Sequence, residues 1–147
     1  MSAERALIDT NVLVYSSDST SPHNPASTAL LAAAQTGSFL GCVSPQILLE
    51  FVSVVTNPKR VASARAADEA WMAAEAFAQA FELVVPPIDL FARVATLGRT
   101  LGMKAQEVFD LAIGITAVEA GVGIVYTYDS TVFSRVPGLI VREPPGP

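Results

Sequence analysis

Carboxylates are the groups on which this sequence can build chemistry, because the other reactive side chains are too few. The 147 residues contain one histidine, His23, and one cysteine, Cys42. A Ser-His-Asp or Cys-His nucleophile would have to be assembled on His23, which sits in the turn-like stretch Ser21-Pro22-His23-Asn24-Pro25. It reads as a loop residue. A zinc site of His and Cys ligands lacks the donors. The sequence has no phosphate-cradling P-loop, and Gly121-Val122-Gly123 lacks the third glycine and the preceding strand of a dinucleotide fingerprint.

Four acids stand where a fold can gather them. Asp9 follows the apolar Ala6-Leu7-Ile8, and Asp129 stands just past Val125-Tyr126-Thr127. Both fit the carboxyl ends of strands, outside which open α/β sheets place their ligand crevices. Asp9 has a second reading, as the cap of a helix that Thr10-Asn11 would begin, and Asp129 as an ordinary loop carboxylate. Glu50 lies on a narrow polar stripe with Gln46, Ser53 and Asn57, at helical spacings of four, three and four. The other sides of that helix are apolar, so the stripe faces either open water or a polar cleft. Asp110 opens a helix whose dipole favours an anion there. Gly114, Ala117 and Gly121 continue its side and would admit a close neighbour or a ligand. Glu107, one turn earlier, either joins Asp110 or faces water. Two carboxylates at strand ends and two on helices form the pattern that hard cations such as Mg²⁺ or Mn²⁺ require. Four such charges in one cleft would repel one another without a cation.

The elements that must carry these acids are short apolar strands alternating with helices. Strands are expected at 6–8, 39–43, 83–85, 124–127 and 139–141. Asn24-Pro25 signals a capped helix that Gly37 closes, and Ser44-Pro45 repeats the signal for a helix to Asn57, before Pro58. Further helices are expected over 64–80, 88–101 (ended by Gly102) and 106–120. Strands without polar alternation, separated by helices, are what a mostly parallel sheet covered on both faces needs. The expectation is one three-layer α/β/α domain over residues 1–147.

Composition narrows the class further. Nine Lys and Arg against 14 Asp and Glu give a net charge of −5, which argues against holding nucleic acid by overall charge. An enzyme acting on nucleic acid through a metal is still open, because a bound cation reverses the local sign. Lys59, Arg60 and Arg65, with Arg93, Arg99 and Lys104, line one edge of a groove or form ordinary solvated surface. The apolar fraction is 51% and the mean hydropathy +0.44, yet no stretch resembles a membrane span. The charged start MSAERALIDT does not read as a signal peptide, and a lone cysteine fits a reduced cytoplasm. The apolar surplus points to a subunit interface.

Leu7-Ile8-Asp9-Thr10-Asn11-Val12-Leu13-Val14-Tyr15 resembles the opening motif of PIN-domain nucleases. Ser44 to Phe51, Val108 to Ile113, and Tyr126-Thr127-Tyr128-Asp129 with Phe133 and Pro137-Gly138-Leu139 resemble the later acidic motifs, in order across nearly the whole chain. The similarity is strongest to VapC toxins, the ribonuclease half of type II toxin–antitoxin pairs. It implies Mg²⁺- or Mn²⁺-dependent endonuclease cleavage of RNA, a homodimer, and inhibition by a cognate antitoxin. It makes Asp9, Glu50, Asp110 and Asp129 the acidic catalytic and metal-binding residues, with Asn11 and Thr127 in support. Two departures bear on substrate choice: Leu111 where many relatives have a small residue, and Ser130-Thr131 where charged residues are common.

Other readings fit less well. A phosphatase-like domain wants a second Asp two residues after the first, where this chain has Asn11. A receiver would place its acceptor at the third strand, which here ends in Val85-Pro86-Pro87. A stand-alone RNA-processing PIN nuclease differs from a toxin in lacking a neighbouring antitoxin gene. A non-catalytic PIN-like binding module would not need all four acids.

Overall fold

A computed structural model describes residues 3–147. Arg5–Ile8 forms β1, and Asp9 turns the chain into helix α1 (Thr10–Ser16). Helix α2 (Asn24–Gln35) leads to β2 (Leu40–Val43), α3 (Pro45–Val55), α4 (Ala67–Ala80) and β3 (Glu82–Leu83). Then follow α5 (Leu90–Leu101), α6 (Glu107–Glu119), β4 (Ile124–Tyr126), a 3-10 turn at Phe133–Arg135, and β5 (Ile140–Arg142).

The five strands form one parallel sheet in the order β3-β2-β1-β4-β5, flanked by the six helices in a three-layer α/β/α arrangement. From β1 the chain builds outward to β2 and β3 on one side, then returns to lay β4 and β5 on the other. The order therefore reverses between β1 and β4, and a crevice opens beyond their carboxyl ends. The three central strands, β2, β1 and β4, are largely buried on both faces, while the edge strands β3 and β5 are more exposed. Leu7, Ile8, Val43 and Val125 from the strands pack with Leu13, Ile47, Phe51, Leu111 and Ile113 from the helices, all fully buried. Removing such side chains from water is the main favourable term in folding. At Gly41 the strand has no room for a side chain, since a Cβ there would lie 2.9 Å from the Phe81 ring.

Local chemistry explains most boundaries, including those the sequence misplaces. Ser44 caps α3 by accepting a hydrogen bond from the Ile47 amide, and Gly102 ends α5 in the left-handed region at φ 68°. Asn24 is not the cap of α2. It is the first helical residue, and its amide donates to the Tyr15 and Ser16 carbonyls, tying α2 to the end of α1. The third strand is Glu82–Leu83 rather than 83–85. The Arg5 guanidinium grips Glu82 across the sheet at 2.8 and 3.0 Å, and Pro86-Pro87 offer no amide to continue a ladder. Residues 64–66 stay outside α4, where the Arg65 amide bonds the Val55 carbonyl instead of joining a helical turn. Among the described residues, no helix is long and apolar enough to cross a membrane.

Candidate functional site

Asp9 and Thr127 meet because β1 and β4 are neighbours. The Asp9 amide extends the ladder to the Tyr126 carbonyl at 3.0 Å, so both polar residues leave the sheet at the same level. The Thr127 hydroxyl donates to one Asp9 carboxylate oxygen at 2.8 Å, and the Thr10 amide donates to the other at 2.7 Å. The same hydroxyl accepts from the Asn11 amide group at 3.1 Å and from the Asp129 backbone at 3.0 Å. The Asn11 carbonyl oxygen accepts from the Tyr128 amide at 3.3 Å. Asn11 and Thr127 thus sew the loop after β4 onto the first turn of α1. They hold both strand-end acids where they are.

The two helical acids reach the same place. The stripe on α3 faces this cleft: Glu50 accepts from the Thr10 hydroxyl and from the Gln46 amide, each at 3.1 Å. That Gln46 nitrogen also lies 3.2 Å from the Phe109 carbonyl, which links α3 to the start of α6 beside Asp110. Asp9, Glu50, Asp110 and Asp129 all line one cavity of about 610 Å³. Neither Thr10 nor Gln46 has a role assigned from sequence, although Gln46 is one turn before Glu50 on the same stripe.

The acids feel their confinement. Asp9 is buried, and desolvation is the largest cause that raises its carboxyl from 3.8 to about 7. The bonds from Thr127 and Thr10 pull the other way, while Asp110 and Glu50 add repulsion. Asp110 rises to about 6, again chiefly through burial and then through Glu50 and Asp129. Among the described residues, no hydrogen bond reaches its carboxylate. Also among the described residues, no three acid, His or Cys side chains converge tightly enough to hold an ion as they stand. The mutual repulsion nonetheless puts these carboxylates within electrostatic reach of one another. The donor set is all oxygen, partly pre-oriented by hydrogen bonds and partly free, and it fits a hard cation that keeps some of its waters.

The other residues singled out in the sequence take the following places. Gly114 is small for packing, not for a ligand: a Cβ there would meet the Val136 side chain at 3.0 Å. Glu107 stands outside the cavity lining and accepts from the Lys104 amide, while Gln106 lines the cavity instead. Leu111 is fully buried and packs close to Gly98, where a Cβ would meet it at an ordinary 3.4 Å. His23 packs against Tyr128, ring centroids 4.2 Å apart, and against Tyr15. The basic residues do not share one edge. Arg60 lines the acidic cavity, Arg65 donates to the Ser17 carbonyl, and Arg93 pairs with Asp89 and Glu119.

Residues 6–139 match the sequence model of the PIN domain family. No curated protein sequence matches the chain. Among solved structures, the fold is similar to VapBC2 from Rickettsia felis bound to a DNA fragment from its promoter, at TM-score 0.68 and 17% identity, covering 95% of this chain and 98% of that one. It is also similar to VapC20 of Mycobacterium tuberculosis, a Sarcin-Ricin loop cleaving toxin, at TM-score 0.66 and 14% identity, covering 88% and 93%. A toxin–antitoxin complex from Klebsiella pneumoniae matches at TM-score 0.62 and 20% identity, covering 96% and 98%.

Proposed function

Because the chain belongs to the PIN domain family, we propose that it is a metal-dependent endoribonuclease, the toxin of a toxin–antitoxin pair. The observation that carries this reading is the gathering of Asp9, Glu50, Asp110 and Asp129 in one cavity at the point where the strand order reverses. Asp9, Asp110 and Asp129 are the ligands for Mg²⁺ or Mn²⁺, directly or through water. When bound, the ion polarises a phosphate oxygen and lowers the pKa of the attacking water. Thr127 and the Thr10 amide fix Asp9 as an acceptor on both oxygens. Glu50, steadied by Thr10 and Gln46, completes the donor set or orients the water. Hydrolysis adds that water across one P–O bond and leaves one phosphate-bearing and one hydroxyl end.

The partners in this reading are RNA as substrate, an antitoxin that relieves toxicity, and a second copy of the chain. Self-association is supported by exposed apolar residues around the β3–α5 connection, among them Val85, Ile88 and Phe91. A cytoplasmic site of action accords with an RNA substrate and a reduced Cys42.

The experiment is incubation of the purified chain with a mixed RNA pool in Mg²⁺, Mn²⁺ or EDTA, followed by mapping of the cut ends. Cleavage is expected with metal, none with EDTA, and none from Asp110→Asn. A wild type that cuts nothing with either metal, or an Asp110→Asn protein that cuts equally well, overturns the nuclease reading. Cleavage without growth arrest on overexpression, and without an adjacent antitoxin gene, removes the toxin assignment alone.

A further inference from the structure

The acidic cavity does not end at the acids. A second cavity of about 760 Å³ adjoins it, and the two share Val14, Asp18, Val61 and Ala62 as lining. Together they make one groove that starts at the four carboxylates and runs between α1 and the segment joining α3 to α4. Val14 and Val55 help line it, and Arg65, also in the lining, donates to the Ser17 carbonyl at 2.8 Å. Arg60 is the cationic side chain that lines the acidic part.

The segment that carries Arg60 is fixed by its backbone. The Asn57 side chain accepts from the Lys59 amide at 2.9 Å, the Arg60 amide donates to the Asn57 carbonyl at 2.9 Å, and the Arg65 amide returns to Val55 at 2.8 Å. Arg60 itself is exposed, and among the described residues it makes no ion pair although it shares a cavity with five acids. Asp18, the other charged residue near the junction, is engaged by the Thr20 amide and hydroxyl at 2.9 and 2.6 Å. A cation carried on a fixed backbone is therefore free, among the described residues, at the place where the groove leaves the acids.

We infer that this groove is the path of single-stranded RNA, and that Arg60 binds a backbone phosphate flanking the one to be cut. The inference rests on the nuclease reading, since it takes the scissile phosphate to lie at the acids. A polynucleotide held there must continue along a neighbouring surface, and each neighbouring link is another phosphate. The acids repel that phosphate, whereas Arg60 offers a planar, permanently charged fork for it. Among the described lining residues Arg60 is thus the one unengaged cation for a flanking phosphate, in a groove that otherwise carries Asp18 and Glu69 beside the four site acids and Arg65 bonded to Ser17. Arg60 acts on substrate position rather than on the bond being broken.

The test measures binding apart from cleavage. Fluorescence anisotropy of a short labelled single-stranded oligoribonucleotide, with the intact chain in EDTA, is read across a salt series. Arg60→Ala is expected to weaken binding roughly tenfold and to lower the salt slope by about 0.7, one single-strand phosphate. Arg60→Lys is expected to keep the slope, and Arg99→Ala, outside the groove, to change neither. In Mn²⁺, Arg60→Ala is expected to raise KM with kcat nearly unchanged. An Arg60→Ala protein with wild-type affinity, slope and KM overturns the inference while leaving metal-dependent cleavage by the wild type intact. Unchanged RNA binding together with weakened capture of a co-expressed polypeptide assigns the groove to a protein and overturns it too. A wild type that neither binds nor cuts RNA removes the nuclease reading, and this inference with it.

Discussion

Replacing Asp9 by Asn is predicted to stabilise the metal-free protein, by an amount that grows with pH. Burial raises the Asp9 carboxyl from its ordinary 3.8 to about 7. Above pH 7 the folded chain therefore bears a penalty of roughly 4 kcal/mol for an ionised group it would rather keep neutral. Asparagine removes the charge and can still cap α1 through its carbonyl oxygen. It loses the bond from the Thr127 hydroxyl, which costs about 1 kcal/mol. The net gain in alkaline EDTA is then roughly 3 kcal/mol, and at about 2–4 °C per kcal/mol the melting temperature rises several degrees. The sign with pH follows from proton counts. Between 3.8 and about 7 the folded state holds more of this proton than the unfolded state, so wild-type stability falls as pH rises through that window and levels off above it. Asp110, shifted the same way, is present in both proteins and largely cancels. Between about pH 5.5 and 8.5 the difference between variant and wild type should widen by roughly 2 kcal/mol. Urea melts at several pH values measure it. Parallel stability curves for the two proteins over that range would refute the reasoning.

Millimolar Mg²⁺ or Mn²⁺ should raise the wild-type melting temperature by binding the folded state alone, and Asp9→Asn should respond much less. Gly41→Ala should destabilise by roughly 1–3 kcal/mol through overpacking, because its Cβ meets Phe81, Ile8 and Ala34 at 2.9–3.2 Å. Gly98→Ala, whose Cβ would meet Leu111 at an ordinary 3.4 Å, should be neutral or stabilising by up to about 1 kcal/mol in a helix. Analytical ultracentrifugation at micromolar concentration should report about twice 15.4 kDa, and a clean monomer would remove the proposed dimer.

The centre of the sheet is legible because β1, β2 and β4 are largely buried on both faces and so are written as unbroken apolar runs. Ala6-Leu7-Ile8 and Ile124-Val125 need no tertiary knowledge to read. The third strand was misplaced for the same reason. Val84-Val85 looks more like a strand than Glu82-Leu83 does, and the ion pair that draws Glu82 into register involves Arg5, 77 residues away. Helix starts followed capping chemistry at Ser44 but not at Asn24, where the side chain found better partners on the end of α1. A local rule cannot see such a competitor.

The site shows where local reading stops more sharply. Asp9 presented two alternatives in the sequence, helix cap or member of an acidic cluster. In the structure one carboxylate oxygen caps α1 and the other takes the Thr127 hydroxyl, while the whole group faces Asp110 and Glu50 electrostatically. The cap is what aims the acid into the cavity, so the two roles are one. Glu50 was undecided between water and cleft because periodicity fixes only which residues share a face. What turned that face inward is Gln46, whose single amide nitrogen lies within bonding distance of Glu50 on its own helix and of the Phe109 carbonyl on the next. Removing that amide, as in Gln46→Leu, leaves the Glu50 carboxylate with Thr10 alone and loosens α3 from α6 at the point where Asp110 begins. The position of two acids then depends on a residue that is itself uncharged.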